Sequence, residues 1–470
     1  MTFLVKQFST ASLINLIGIV LAVYVNILIL PEIASTEEYG MFRWIERTGV
    51  LFANILIFGL HRTYIKFSSD SKLVRSEFDD AIFSRTTLII CATIVILSIA
   101  PYFISSYYEI ASFKTEYYAI GPMAAGGIAF LLSIRISSAH NKILRPLFVQ
   151  NIILRIALIC SSLLVYFNYY NFSILISAYS WIFFILGITS LIRTWRLTKT
   201  TWNLTAITKP LLKKVRSYSK YVVLGTSIDI ILATIDIQML SLLTNFSTVG
   251  IYGLAFFFAT TIDALRRPIS QIVAPKFSRY WNNSSLISLK KLYANSATIQ
   301  TAITFFCIFI ILTNIQWIFT YIPEGERFFD SIRVIQILLI GRFVSAIFGS
   351  NGELIATSPY YKVNVKITFI VLACTICFNL VAIPSFGVAG VAYSNVLTLL
   401  LLNIMRSGYL YRMCKISPFN KDLLSVVLTG TFIIFISIVM PFEGLYRFIF
   451  SMIIVFLALA RLKKYFHHML

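Results

Sequence analysis

Runs of about twenty apolar residues recur from one end of this chain to the other. That repetition restricts the fold more than any motif does, because a segment of this length and polarity suits the hydrocarbon of a bilayer. The first run, ASLINLIGIVLAVYVNILIL, spans Ala11 to Leu30. Across the 470 residues, 58% are hydrophobic and 13% charged, a balance that excludes a water-soluble domain of this size. A transmembrane β-barrel would instead show short alternating segments. The expected class is an all-α polytopic membrane protein. No small-residue cleavage site follows Ala11–Leu30, so this run is expected to remain as the first span.

Fourteen spans can be read, at roughly 11–30, 40–60, 86–105, 119–139, 147–167, 173–192, 221–243, 248–268, 294–318, 331–356, 362–383, 387–409, 422–440 and 446–463. Turn-forming stretches such as PEIAST, HNKILRP, PSFG and SPFNKD separate them. The net charge of +21 does not point to nucleic acid, because the basic residues cluster in short connections between spans. With a cytoplasmic N-terminus, about 31 of the 40 Lys and Arg fall on the cytoplasmic side, about 4 outside and about 5 within spans. Both termini are therefore expected in the cytoplasm. The basic connection from Arg193 to Lys220 reads as a cytoplasmic linker that also meets anionic lipid heads.

An internal repeat points to two halves. STEEYGMF, beginning at Ser35, is echoed by STVGIYGLAF, beginning at Ser247, about 212 residues later. Six spans separate the two, and an even number preserves orientation, so the repeat is parallel. The expected layout is two six-helix lobes around a central cavity plus two C-terminal helices. In residue terms these are an N-terminal lobe 1–195, a linker 196–220, a C-terminal lobe 221–415 and an extra helix pair 416–470.

Charges inside spans are the candidate functional groups, since each costs at least ~2.5–3.5 kcal/mol at the bilayer centre. In span two, Arg43, Arg47, Asn54 and His61 fall within about 40° of one helical line, with Glu46 to the side. Arg43 lies near enough to the outer surface to snorkel, whereas Arg47 lies deeper. The stripe reads either as an Arg–Glu tie to a neighbouring span or as the lining of a water-filled cavity. Arg135 in span four, Arg155 in span five (with Asn151 and Ser162) and Arg342 in span ten (with Ser345, Gly349 and Glu353) extend the cationic set. Arg is suited to phosphate because its planar fork donates two hydrogen bonds and stays charged. Arg266 and Arg267, after Asp263 and before Pro268, read as topology charges at the inner interface. Asp229 and Asp236 share one face of span seven. They read as an ion-coupling pair for Na⁺ or a proton, or as carboxylates balancing the arginines, and Glu46 and Glu353 carry the same two readings.

The sequence contains neither a phosphate-binding GxxxxGK[ST] loop nor an HExxH pair, and Cys374 and Cys377 lie in an apolar run without further ligands. No metal, cofactor or catalytic residue is expected. Outer connections such as SSYYEIASFKTEYY and FTYIPEGERFFD are short for a membrane glycan polymerase, so an enzyme is not expected.

Three stretches together resemble a known family. They are STEEYGMFRWIERTGVLFANILIFGLHRTYIKF, STVGIYGLAFFFATTIDALRRPISQIVAPKFSRY and LIATSPYYKVNVKITFIVLACTICFNLVAIPSFGVAGVAYSNVLTLLLLNIMRS. Their order and spacing are similar to the polysaccharide transporter family of the multidrug/oligosaccharidyl-lipid/polysaccharide exporter superfamily, which includes Wzx-type O-antigen flippases. The chain departs from that pattern at Val391-Ala392, where the family often has two alanines, and at Thr357-Ser358-Pro359, where glycine is common. The resemblance implies a flippase of the bacterial inner membrane. Its cargo would be a polyprenyl-diphosphate-linked oligosaccharide, a unit of O-antigen, capsule or exopolysaccharide. It also implies contact with membrane lipids and with a polysaccharide polymerase and export machinery, and no nucleic-acid partner. An ion-coupled drug/cation antiporter of the same superfamily is the alternative.

Overall fold

The computed structural model describes residues 2–61, 64, 72–99, 102, 115–140, 142–198 and 209–439. The fourteenth span expected at 446–463, most of the outer connection at 105–118 and the middle of the basic linker lie outside the described residues. Every regular element among the described residues is helical. In chain order they are α1 (Thr2–Val23, continued by a π-helical turn Tyr24–Ile29), α2 (Thr36–Leu56), α3 (Lys72–Ile94), α4 (Ile120–Ala139), α5 (Leu144–Phe148), α6 (Leu154–Tyr166) and α7 (Phe172–Thr198). They continue with α8 (Lys209–Leu243), α9 (Phe246–Asn282), α10 (Leu286–Thr320), α11 (Asp330–Ile347), α12 (Asn351–Ala356), α13 (Tyr361–Cys414) and α14 (Lys421–Val439).

Among the described residues, nine helices are long and apolar enough to cross a membrane. α2 falls outside that set because Arg43, Glu46 and Arg47 interrupt its apolar run. The molecule is an all-α, multi-pass membrane protein. Spans eleven and twelve both lie within α13, as two helices that meet at Gly387, where φ is +56° and ψ −132° and the backbone is not helical. Glycine reaches that conformation without a Cβ clash, so PSFG acts as the break between the two helices.

The chain divides into two compact units, Met1–Ser241 with Asn245–Gly250, and Leu242–Thr244 with Ile251–Leu470. The division falls one long helix beyond the basic linker, because α8 packs with the first unit.

In the first unit α4 is the central helix, packed between α2, α3 and α7. Its GPMAAGG segment, Gly121–Gly127, is buried throughout. A Cβ on Gly126 would meet the backbone of Phe183, and one on Gly127 would meet Ala53, so small residues let three backbones approach closely. Thr194 of α7 then bridges Ser133 and Ser137 of α4 at 3.1 and 3.3 Å. α2 starts at a capping box: Ser35 Oγ accepts from Glu38 N at 3.2 Å, and Glu38 Oε2 accepts from Ser35 N at 2.9 Å. α9 starts at a simple N-cap, with Thr248 N donating to Asn245 Oδ1 at 2.9 Å. These two helix starts are the two copies of the sequence repeat, and within the first unit they pack on each other. Thr36 Oγ1 lies 2.7 Å from Ser247 Oγ, and the Cα positions of Gly40 and Gly250 each face the other segment's backbone.

The second unit is organised by α11 packed on α10 and α13, with α14 against α10. Its core includes Phe277, Leu289, Tyr293, Leu354 and Leu410. Tyr293 Oη donates to Phe348 O at 2.8 Å, tying α10 to the break after α11.

Candidate functional site

In the first unit the charged stripe of α2 folds into a network. Tyr39, Arg43 and Glu46 stand three and four residues apart and so share a face. Arg43 Nη1 donates to Glu46 Oε2 at 2.9 Å. Its Nε and Nη2 donate to Tyr39 Oη at 3.0 and 2.7 Å, and Nη2 donates to Asn26 Oδ1 at 2.6 Å. Asn26 sits in the π-helical turn of the first span, where an extra residue per turn changes its direction. Its own Nδ2 donates to Ala22 O at 2.7 Å, which fixes the amide. The guanidinium also lies 5.0 Å from the Tyr39 ring centre.

Arg43 is 4% exposed. It does not snorkel outward, because buried acceptors on two helices occupy its guanidinium. Arg47, one turn on, is half-buried, as is Arg155 on α6. Both lie within electrostatic reach of the Glu46 carboxylate, as does Arg43. The fold therefore gathers Arg43, Glu46, Arg47 and Arg155, three cations and one acid, from two spans. Tyr179 of α7 lies within reach of Arg155 and Glu46 and packs its ring 5.5 Å from that of Phe42. Gln238 of α8 donates to Thr48 Oγ1 at 2.9 Å, holding α2 from another side. Asn54 turns back on its own helix, donating to Val50 O at 2.9 Å. Arg135 is half-buried near the C-terminal end of α4. Asp229 and Asp236 share a face of α8 in unlike settings, the first exposed and the second 5% exposed.

The second unit holds a separate polar cavity of about 280 Å3, lined by Asp263, Arg266, Arg267, Gln300, Arg342 and Glu353 among others. Arg342 Nη1 donates to Asp263 Oδ2 at 2.8 Å, and Arg266 Nη2 approaches Asp263 Oδ1 at 3.4 Å. Arg266 also donates to Arg342 O at 3.2 Å, and the Arg342 guanidinium lies 5.4 Å from the Phe256 ring centre. Arg266 is partly buried and paired within the cavity. It is drawn inward by Asp263, one turn earlier on the same helix, while its neighbour Arg267 stays exposed. The Nε–H groups of Arg266 and Arg342 are buried without an acceptor among the described residues. Gln300 Nε2 donates to Ser350 Oγ at 2.6 Å at the edge of this cavity.

The Tyr39–Arg43 spacing was visible in the sequence as an i, i+4 pair. Asn26, Tyr179 and Gln300 carried no such signal, because each joins its site from another helix. No group of three or more His, Cys, Asp or Glu able to hold a metal occurs among the described residues.

No protein-family model matches the chain. Over 232 residues it is 22% identical to the uncharacterized membrane protein MJ1068 of Methanocaldococcus jannaschii, an alignment covering 48% of this chain and 44% of that one. The chain thus spans less than half the length of that relative. Among solved structures, it is similar to the lipid II flippase MurJ in an inward closed conformation, with TM-score 0.77 and 14% identity over 97% of this chain and 98% of that one. It is also similar to an inward-facing multidrug resistance MATE family transporter of the MOP superfamily, with TM-score 0.56 and 14% identity over 90% and 96%. A third similar structure is a MOP superfamily transporter from Pyrococcus furiosus Vc1 (DSM3638), described as having a binding pocket of reverse polarity, with TM-score 0.56 and 11% identity over 92% and 96%. At these identities the likeness establishes a shared fold.

Proposed function

We propose that this protein is a flippase that carries a polyprenyl-diphosphate-linked oligosaccharide from the inner to the outer leaflet by alternating access. The carrying observation is that Arg43, Arg47 and Arg155 lie around the carboxylate of Glu46 on α2 and α6. A diphosphate crossing a bilayer must exchange its water for donors of comparable strength, or the cost of desolvation stops it. Arginine forks supply such donors. Arg43 is buried and bonded to Tyr39, Glu46 and Asn26, and the gripping role is assigned to Arg47 and Arg155, which are more exposed than Arg43. Arg266 and Arg342, with buried Nε–H groups, offer a second cationic surface in the other unit. The fold shared with a lipid II flippase supports the same reading. An antiporter for organic cations would favour an acidic lining, which the charge balance of the cluster opposes.

The test is glycan export, read as lipid-linked oligosaccharide accumulating on the inner leaflet and normalised to inserted protein. Arg47→Ala is expected to lower export about tenfold at normal abundance, and Arg47→Lys to restore part of it, because lysine keeps charge and loses the fork. Full export by Arg47→Ala would overturn the grip. Unchanged glycan export together with lost efflux of an organic cation would favour the antiporter.

The proposal includes an orientation. Both termini and the Arg193–Lys220 connection face the cytoplasm, the side expected to hold most lysine and arginine. Reporter fusions at these three places are expected to report the cytoplasm. An outward signal from any of them would reverse the leaflets named above.

A further inference from the structure

A second cavity lies at one end of the first unit, where the C-terminal end of α4, the start of α5 and the last turns of α7 meet. Its volume is about 250 Å3. Four cations line it, Lys142, Arg145, Arg193 and Arg196, and among the described residues no carboxylate does. All four are exposed at its mouth. Lys142 and Arg145 stand before and within the first turn of α5, the end of a helix at which a cation opposes the dipole, so helix stability does not account for them. The cavity floor is polar. Ser190 is 6% exposed, and its hydroxyl makes no hydrogen bond among the described residues. Beside it, Thr194 Oγ1 donates to Ser190 O at 2.8 Å. Four cations without a carboxylate among the described lining residues make a setting suited to an anion with several acceptor oxygens.

The surroundings suggest where that anion comes from. Val149 and Leu197 line the same cavity, and the nearby Phe148, Ile192 and Trp195 are exposed large apolar side chains. A group bound here would have its charge among arginines and its attached chains along an apolar helix surface. Basic pockets between membrane helices recognise lipid headgroups in this way. We infer that this cavity binds a lipid-borne phosphate group, as a phosphomonoester or diphosphate head, between the ends of α4, α5 and α7. The inference does not depend on the transport reading, since it needs no movement of the bound lipid.

The full chain in phosphatidylcholine nanodiscs, challenged with dioleoyl phosphatidate, provides the test, with retained lipid counted by native mass spectrometry. Wild type is expected to retain phosphatidate over added phosphatidylcholine. Arg145→Gln/Arg193→Gln is expected to weaken retention about tenfold or more, having lost two charge-assisted partners. Lys290→Gln/Lys291→Gln removes the same charge from exposed positions on α10 and is expected to leave retention within about twofold, as screened distant charges do. Ser190→Val, which changes no charge but fills the floor, is expected to weaken retention with the melting temperature kept. Wild-type retention by the arginine double variant, or equal loss in the lysine control, would overturn the site. Displacement of phosphatidate by glycerol 3-phosphate would overturn its assignment to a lipid.

Discussion

Arg43→Ala is expected to reduce the folded protein recovered from membranes sharply, with a much smaller change in export per folded molecule. Truncation removes the guanidinium that Glu46, Tyr39 and Asn26 all share. Tyr39 and Asn26 are buried within the helix packing, and the Glu46 side chain is only 19% exposed. Breaking a buried ion pair by removing one partner costs about 3–5 kcal/mol, mostly through the partner left behind. Arg47 and Arg155 still reach Glu46, so the loss should fall at the lower end, about 3 kcal/mol. Glu46→Gln is expected to cost at least as much, because three arginines then lose their shared carboxylate. Arg43→Met/Glu46→Gln should recover part of either loss, since the Arg43–Glu46 pair is then removed together while Arg47 and Arg155 still lack the carboxylate. The measurement is thermal unfolding of purified protein. A wild-type melting temperature for Arg43→Ala would show that the network contributes nothing to stability.

Gly40→Val is expected to be as damaging, for a steric reason. A Cβ at Gly40 would run into Phe246 O, and one at Gly250 into Thr36 O. Both obstacles are backbone, so no rotamer change relieves them. The two helix starts must separate, which also breaks the Thr36–Ser247 hydroxyl contact at 2.7 Å. Overpacking of this kind costs about 3 kcal/mol or more at each glycine. Thr36→Cys/Ser247→Cys gives a direct readout. The pair should cross-link readily in the wild-type background and lose most of that cross-linking once Gly40→Val is added. Undiminished cross-linking with an unchanged melting temperature would show that the approach is looser than described.

These two sites mark how far the sequence could be read. The apolar runs made the class legible, because a bilayer accepts a chain of this composition as helices whose backbone bonds are met within each segment. Helical spacing alone grouped Arg43 and Arg47 with Glu46 to one side, and the STEEYG and STVGIYG segments were recognisable as copies. Periodicity fixes only the direction in which a side chain leaves its own helix. It does not choose the neighbour met there. Asn26 reaches Arg43 through a π-helical turn that no residue type announces, and Arg155 arrives from another span. Arg266 reads as an interface charge beside Arg267, and only the structure pairs it with Asp263. The likeness of the two repeats suggested equivalent halves, yet their helix starts pack on each other within the first unit, and α8 packs there as well. Small residues such as Gly40, Gly126 and Gly250 permit close approach without naming a partner. The sequence by itself determined the all-helical membrane class and which charges the apolar helices carry, through hydrophobicity and helical period. Only the packing of helix on helix decided which of those charges are held by protein and which stay partly open.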